Sequence, residues 1–361
     1  MRIALAPVTP TASVRWVNAE RRAFDEWTTC LIDETRAPQE HLTAAHAWCG
    51  WALERLGMDA VRIDPPDSTG THPTPLPGGE AISPQRAVLC LREHLRTAVY
   101  LRALDAAVRA AQEKFPGETI HLVEAGCGPA APMALAMAAR YSPAEVQVSL
   151  LDIHEASLGD ARRLAADLGV ERSLRATICG DAAAVRFAEN DRPHIVVAEV
   201  LRRALKKEPQ VAVTRALAPQ LRAGGFFLPE RIEVDLGFVR AGLAGGGSWD
   251  IERLGPVFVL DAGRTDALVP DAAGRLPERS IFVPAHAASA LQLLTRLQLF
   301  AAHALEDFHC SLTMPERLRG VPDAIAARGG RLRLAYEISA DPGVRLIAAE
   351  PAEEAISAVR F

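Results

Sequence analysis

Long apolar runs are missing from this chain. No stretch approaches the roughly 18 uninterrupted apolar residues that a membrane-spanning helix needs, so no membrane partner is expected. Basic tracts are missing too. The formal net charge is −5, and without a patch rich in lysine and arginine, nucleic acid is not the expected partner. The six cysteines, at 30, 49, 90, 127, 179 and 310, include no C-x-x-C pair. That excludes the usual zinc and disulfide spacings, so no metal is expected and each cysteine reads as a small buried hydrophobe. The opening residues, MRIALAPVTPTASVRW, carry one early arginine and a short apolar run broken by proline, a poor secretion signal. A cytoplasmic protein is the expectation.

What is present suffices for a large core. The 361 residues are 49% apolar and 24% charged, enough for two domains and a small third. From about 12 to 58 the pattern predicts helix, with Trp48, Trp51, Leu53 and Leu56 at helical spacing and Gly57 as a stop. Residues 1–60 therefore read as a helical region. The segment DPPDSTGTHPTPLPGGE, 64–80, is dense in proline and glycine and predicts a linker over 61–80.

From 81 to 228 helices alternate with short buried strands. ETIHLVEAGCG, QVSLLDIH, LRATICGDAA and PHIVVAEV read as strands, and the segments between them as helices. This rhythm predicts an α/β domain, a parallel sheet covered on both faces in the Rossmann-like manner. Beyond 229 the rhythm is lost. Short strand-like pieces such as SIFVP, LQLLTRLQLF, GRLRLAYEIS and VRLIAAE predict a mostly β domain over 229–361, a barrel or sandwich.

In a doubly wound sheet, ligands bind beyond the C-terminal strand ends. Unusual residues stand there. The first strand ends in Glu124-Ala125-Gly126-Cys127-Gly128, whose glycines allow backbone to approach a ligand closely. The second ends in Asp152, 26 positions after Gly126 (152 − 126), where a carboxylate accepts from ribose hydroxyls or else caps the next helix. The third ends in Gly180-Asp181, whose acid receives an adenine amino group or closes a turn. Strand four leads into AEVLRRALKKEPQ, with Glu199 and Glu208 nine positions apart (208 − 199). Two carboxylates facing one pocket repel unless a cation lies between them, and a planar guanidinium fits that demand. The alternative is a strand-end cap and an exposed acid at a helix start.

Taken together, VEAGCGP, LLDIH and CGDAA resemble the first, ribose-binding and adenine-contact motifs of class I S-adenosyl-L-methionine-dependent methyltransferases. A nicotinamide dehydrogenase is the rival. It is disfavoured by Ala131 at the third-glycine spacing and by the acid Glu124 before the loop. AEVLRRALKKEPQ is similar to the double-glutamate loop of the protein arginine methyltransferases, S-E-x-x-G-x-x-L-x-x-E, with Ala198 for the serine and Arg202 for the glycine. LREHLRTAVYLRAL looks like that family's L-x-D-x-x-R-T-x-x-Y helix, and LAPQLRAGGFFLPERI resembles its L-x-P-G-G-x-x-x-P strand.

The resemblance implies a β-barrel after the Rossmann-like domain and a homodimer. It makes Glu199 and Glu208 the catalytic pair. Arg96, Glu124, Gly126, Gly128, Asp152 and Asp181 become the residues holding the methyl donor, which leaves as S-adenosyl-L-homocysteine. The family's Thr-His-Trp loop is not recognisable; FHC at 308–310 stands nearest and makes His309 a neighbour of the acceptor. The family's helical dimerisation arm looks missing or shortened, since RAGLAGGGSWDIERLG is glycine-rich. The N-terminal helices, with Trp16, Trp27, Trp48 and Trp51, either replace it as an interface or pack on the core. These departures suggest a small guanidine substrate, as in bacterial relatives that methylate free L-arginine in natural-product pathways such as that to streptozocin. A protein arginine, or a non-catalytic module of the same fold, is the competing expectation.

Overall fold

The computed structural model describes residues 12–58, 73–241, 249–285 and 290–352, with side chains from 19 onward. The expected N-terminal helical stretch is two helices, α1 (Ala12–Ile32) and α2 (Pro38–Leu56), separated by a turn because Pro38 opens the second. Gly57 ends α2 in the left-handed conformation, φ 65°, the conformation glycine adopts without penalty. Phe24 and Trp48 meet edge to face at 5.1 Å between ring centroids, and both are fully buried.

Where a linker is expected, residues 73–81 carry structure. β1 (Thr74–Leu76) and β2 (Gly79–Ala81) form a small antiparallel hairpin. The expected linker is corrected over that part, while 59–72 lie outside the described residues. The segment SPQRAVLCLREHLRTAVYLRALDAAVRAAQ, 83–112, reads as one helix in the sequence but is broken. α3 (Pro84–Leu89) and a 3-10 turn (Cys90–Arg92) precede α4 (His94–Lys114), which begins afresh at Glu93. Just beyond that break Glu93 accepts from Ser311 and Arg96 donates to Glu199.

The parallel sheet follows the sequence reading closely. β3 (Ile120–Ala125), α5 (Pro132–Arg140), β4 (Val146–Asp152), α6 (Glu155–Asp167), β5 (Leu174–Cys179), β6 (Ile195–Ala198), α7 (Gln210–Leu217) and β7 (Phe226–Leu228) succeed one another. The strand order is β5-β4-β3-β6-β7, all parallel. β3 and β6 are buried throughout, as strands covered on both faces must be; β6 is an unbroken apolar run, while β3 carries His121 and Glu124, both hydrogen-bonded. The chain reverses its winding between β3 and β6, and a crevice opens there at the strand ends.

The last third is antiparallel. β8 (Arg231–Ala241), β9 (Trp249–Asp261), β10 (Arg279–Val283), β11 (Gln292–Phe300), β12 (His303–Leu305), β13 (Glu316–Arg317), β14 (Gly330–Glu337) and β15 (Gly343–Pro351) form two sheets. One has the order β12-β11-β8-β9 with β13 beside β11; the other is β10-β14-β15. They meet through the stacked rings of Phe258 and Tyr336, 4.5 Å apart. One apolar cluster runs from the N-terminal helices through α4 and β3 into these sheets, so the regions are packed as one body. All six cysteines carry free thiols. The expectation that all are buried is corrected: Cys179 is exposed and Cys30 and Cys90 are half-buried, because each lies near an element's end instead of its packed face.

Candidate active site

A cavity of about 1160 Å³, its open mouth included, lies along the C-terminal ends of β3, β4, β5 and β6. Every expected site residue except His309 lines it: Arg96, Glu124, Gly126, Gly128, Asp152, Asp181, Glu199 and Glu208.

The glycine loop is built for close contact. Gly126 and Gly128 have φ of 74° and 60°, values that a side chain strains. A Cβ on Gly126 would stand 2.2 Å from Val200 Cγ1, so the glycine lets the segment after Glu199 cross directly over the loop. Glu124 accepts from the N–H groups of Ala134 at 2.7 Å and Met133 at 3.4 Å, which open α5. Burial pushes its carboxyl up to about 8, against those two hydrogen bonds. Asp152 accepts from Gly128 N–H and His154 N–H, both at 2.8 Å. It thus ties the loop to its strand while facing the cavity. Asp181 accepts from Ala183 N–H at 2.9 Å. It closes the turn and also lines the cavity.

At the other end, Glu199 and Glu208 reach the same space. Arg96 donates to Glu199 Oε2 and lies 3.7 Å from Glu93. Glu93 in turn accepts from Ser311 N–H at 2.9 Å and Ser311 O–H at 2.6 Å. Burial works against the Arg96 charge, and Glu199, Cys90 and Glu93 together more than offset it, so the guanidinium lies well above its ordinary pKa. Burial raises Glu199, with Arg96 opposing. Glu208 is 7% exposed and makes no side-chain hydrogen bond or ion pair among the described residues. Burial, then repulsion from Glu199, pushes it to about 8.

The loop carrying this pair is strained and externally braced. Ala204, Leu205 and Lys207 have φ of 57°, 52° and 71°, which costs roughly 1–2 kcal/mol for each residue bearing a Cβ. The β sheets supply the brace. Thr295 Oγ1 accepts from Ala204 N–H at 2.8 Å, and Tyr336 O–H donates to Leu205 O at 2.8 Å. Glu316 pairs with Arg203 at 2.9 Å and Lys206 at 2.6 Å. Inside the sheet domain, Gln210 accepts from Val200 N–H at 3.1 Å. None of these braces was visible in the sequence, since Thr295, Glu316 and Tyr336 lie over 80 positions downstream.

The hairpin closes one side. Its Glu80 N–H donates to Lys207 O at 2.7 Å, and Thr74 O–H meets His154 Nε2 at 2.8 Å. His309 is corrected. It is exposed and outside the cavity, its Nδ1 accepting from Glu306 N–H at 3.1 Å. The loop it belongs to touches the site instead through Ser311 and Glu93.

Among the described residues, three buried polar atoms without partners belong to the lining: Glu199 Oε1, Tyr100 Oη and Ser157 Oγ. Native proteins rarely strand such groups, and a polar ligand satisfies them. Among the described residues the lining holds six carboxylates (Glu80, Glu124, Asp152, Asp181, Glu199, Glu208) against one guanidinium, Arg96. Cationic ligands suit that field. Among the described residues no cluster of three or more His, Cys, Asp or Glu is arranged to hold a metal, and no helix is long and apolar enough to cross a membrane.

No protein-family model and no curated protein sequence matches the chain. Solved structures include a similar one, the PRMT1 enzyme-prozyme heterotetrameric complex with AdoHcy from Trypanosoma brucei. It is 14% identical with a TM-score of 0.48, over 73% of this chain and 92% of that one. The likeness is one of outline, and the reading of the site rests on its own geometry.

Proposed function

We propose that the chain is an S-adenosyl-L-methionine-dependent N-methyltransferase acting on a guanidino nitrogen of L-arginine or a similar small molecule. The observation that carries this is the buried pair Glu199 and Glu208 on one cavity, with an unpartnered oxygen on the first and an unpartnered carboxylate on the second.

The donor fits the residues present. Asp152 suits a ribose, Asp181 an adenine amino group, and the Gly126–Gly128 turn leaves room for backbone to approach. Arg96 and the unpartnered Tyr100 and Ser157 offer polar groups between the two ends. When bound, the donor supplies a methyl already activated on a sulfonium.

The rest is done by the chain. Glu199 and Glu208 fix the plane of the guanidinium through charge-assisted hydrogen bonds. They draw positive charge towards the nitrogens they hold, leaving the third nitrogen richer in electrons, and stabilise charge that accumulates during transfer. Orientation of the acceptor in the pocket supplies much of the rate. The proposal includes a cytoplasmic protein, in keeping with six free thiols, and a homodimer.

Incubation with methyl-labelled S-adenosyl-L-methionine, comparing free L-arginine with an Arg-Gly-rich peptide, tests the reading. Label on free L-arginine is expected. Label on the peptide alone shifts the substrate to protein arginine, and failure to bind either the donor or S-adenosyl-L-homocysteine leaves a non-catalytic module.

A further inference from the structure

Glu80 stands on the hairpin at the acceptor end of the cavity. It is half-buried, lines the same space as Glu199 and Glu208, and has no hydrogen bond or ion pair for its carboxylate among the described residues. Its position is fixed closely. Its N–H donates to Lys207 O, one residue before Glu208. The preceding Gly79, φ 147°, lies so near that a Cβ there would stand 2.5 Å from Lys207 O and 2.9 Å from the Glu208 carbonyl carbon. Backbone of hairpin and loop are therefore in contact, and Glu80 adds to the repulsion that Glu208 feels.

A guanidinium between Glu199 and Glu208 uses two carboxylates. It leaves the third without a bonded partner: its neighbouring cation Lys207 is paired with Asp341 at 2.8 Å, and Arg96, the guanidinium of the described lining, already serves Glu199. A half-buried carboxylate that lines the cavity beside two others, with no bonded partner of its own, is placed to take a second cationic group of the ligand. We propose that Glu80 binds an ammonium at the far end of the acceptor, so that the substrate class is a small guanidine bearing a second cationic nitrogen. Free L-arginine and agmatine belong to that class. A peptide-bound arginine, whose α-nitrogen is an amide, does not. This inference rests on the assignment of Glu199 and Glu208 as the guanidinium site, and it makes Glu80 a specificity determinant with no part in the chemical step.

The test is methyl transfer by the full chain to L-arginine, agmatine and Nα-acetyl-L-arginine, for wild type, Glu80→Gln and Glu80→Asp. Losing one charge-assisted contact raises KM about tenfold. Glu80→Gln is thus expected to raise KM for L-arginine and agmatine by that factor while kcat, and KM for the acetylated compound, stay within about twofold. Glu80→Asp should recover part of the loss. A thermal melt unchanged from wild type checks that the hairpin is intact, and calorimetry of L-arginine binding in the presence of S-adenosyl-L-homocysteine checks the affinity without turnover. Wild type that uses the acetylated compound as well as L-arginine overturns the role of Glu80 alone. So does a Glu80→Gln variant affecting all three substrates equally or none. Wild type that methylates no guanidine overturns the underlying assignment, and the inference with it.

Discussion

The proton on Glu208 makes binding at the acceptor end responsive to pH. Glu208 is held at about 8 by burial and by Glu199, so near neutrality the empty pocket keeps it mostly protonated. A guanidinium beside it favours the ionised form. Binding below pH 8 must then expel a proton, and apparent affinity for the cation should rise by up to about tenfold per pH unit towards 8. Calorimetry in buffers of different ionisation heat should find proton release at pH 6.5 that shrinks above 8. Release that is absent from wild type contradicts the picture. For stability the sign is the reverse. The folded state binds more protons than the unfolded chain between the ordinary carboxylate range and about 8, so the contribution of Glu208 to stability falls as pH rises through that window. The same residue scale shows where reading the sequence stopped short. Glu199, Asp152 and Asp181 were legible because they stand at strand ends, and Glu208 through its nine-residue interval from Glu199 and the resemblance of that loop. Glu93 was not, since a helix predicted as continuous gives no reason to expect its break at that residue. His309 failed because a lone histidine carries no signal of which way its loop turns.

The central element is the loop from Glu199 to Glu208, which does not hold its own shape. Three left-handed residues with side chains make it unfavourable in isolation, and Thr295, Glu316 and Tyr336 hold it from the β sheets. Tyr336→Phe removes one brace and leaves Leu205 O buried without a donor, which costs about 1–3 kcal/mol. The expected result is a lower thermal midpoint and a kcat reduced more than the affinity for S-adenosyl-L-methionine. Equal loss in both would mean that the brace supports the fold at large. Strand and helix positions were legible from β3 to α7 because buried parallel strands read as apolar runs. The hairpin was not, for its proline and glycine content hides a three-residue ladder. The braces were invisible for a different reason: they depend on which strand of the last third faces the loop, and no local pattern encodes that.

At the scale of the whole molecule, one core joins the N-terminal helices to both later regions. Trp48, 1% exposed, packs within this core and so is spent on folding; Trp27 and Trp51 are half-buried, and the Trp16 side chain lies outside the described residues. Trp48→Ala should cost about 3–5 kcal/mol, read as a lower denaturation midpoint, with the assembly state by light scattering unchanged. A variant of normal stability that becomes monomeric would reverse that assignment. The β-rich last third was legible as a class, though the long pair β8 and β9 was not, since glycines near 245 and 255 mask a strand of 13 residues.

The claim on which the rest depends is that Glu208 holds the guanidinium and does not hold the donor. Glu199→Gln also disturbs Arg96, to which Glu199 is paired, so Glu208→Gln is the cleaner probe. Methyl transfer to L-arginine and binding of S-adenosyl-L-methionine should be measured on the same preparation. Loss of transfer by about a hundredfold or more, with donor affinity within about threefold of wild type, is the predicted result for a group acting chiefly in the transition state. Transfer at the wild-type rate, or donor binding lost in parallel, would contradict the account.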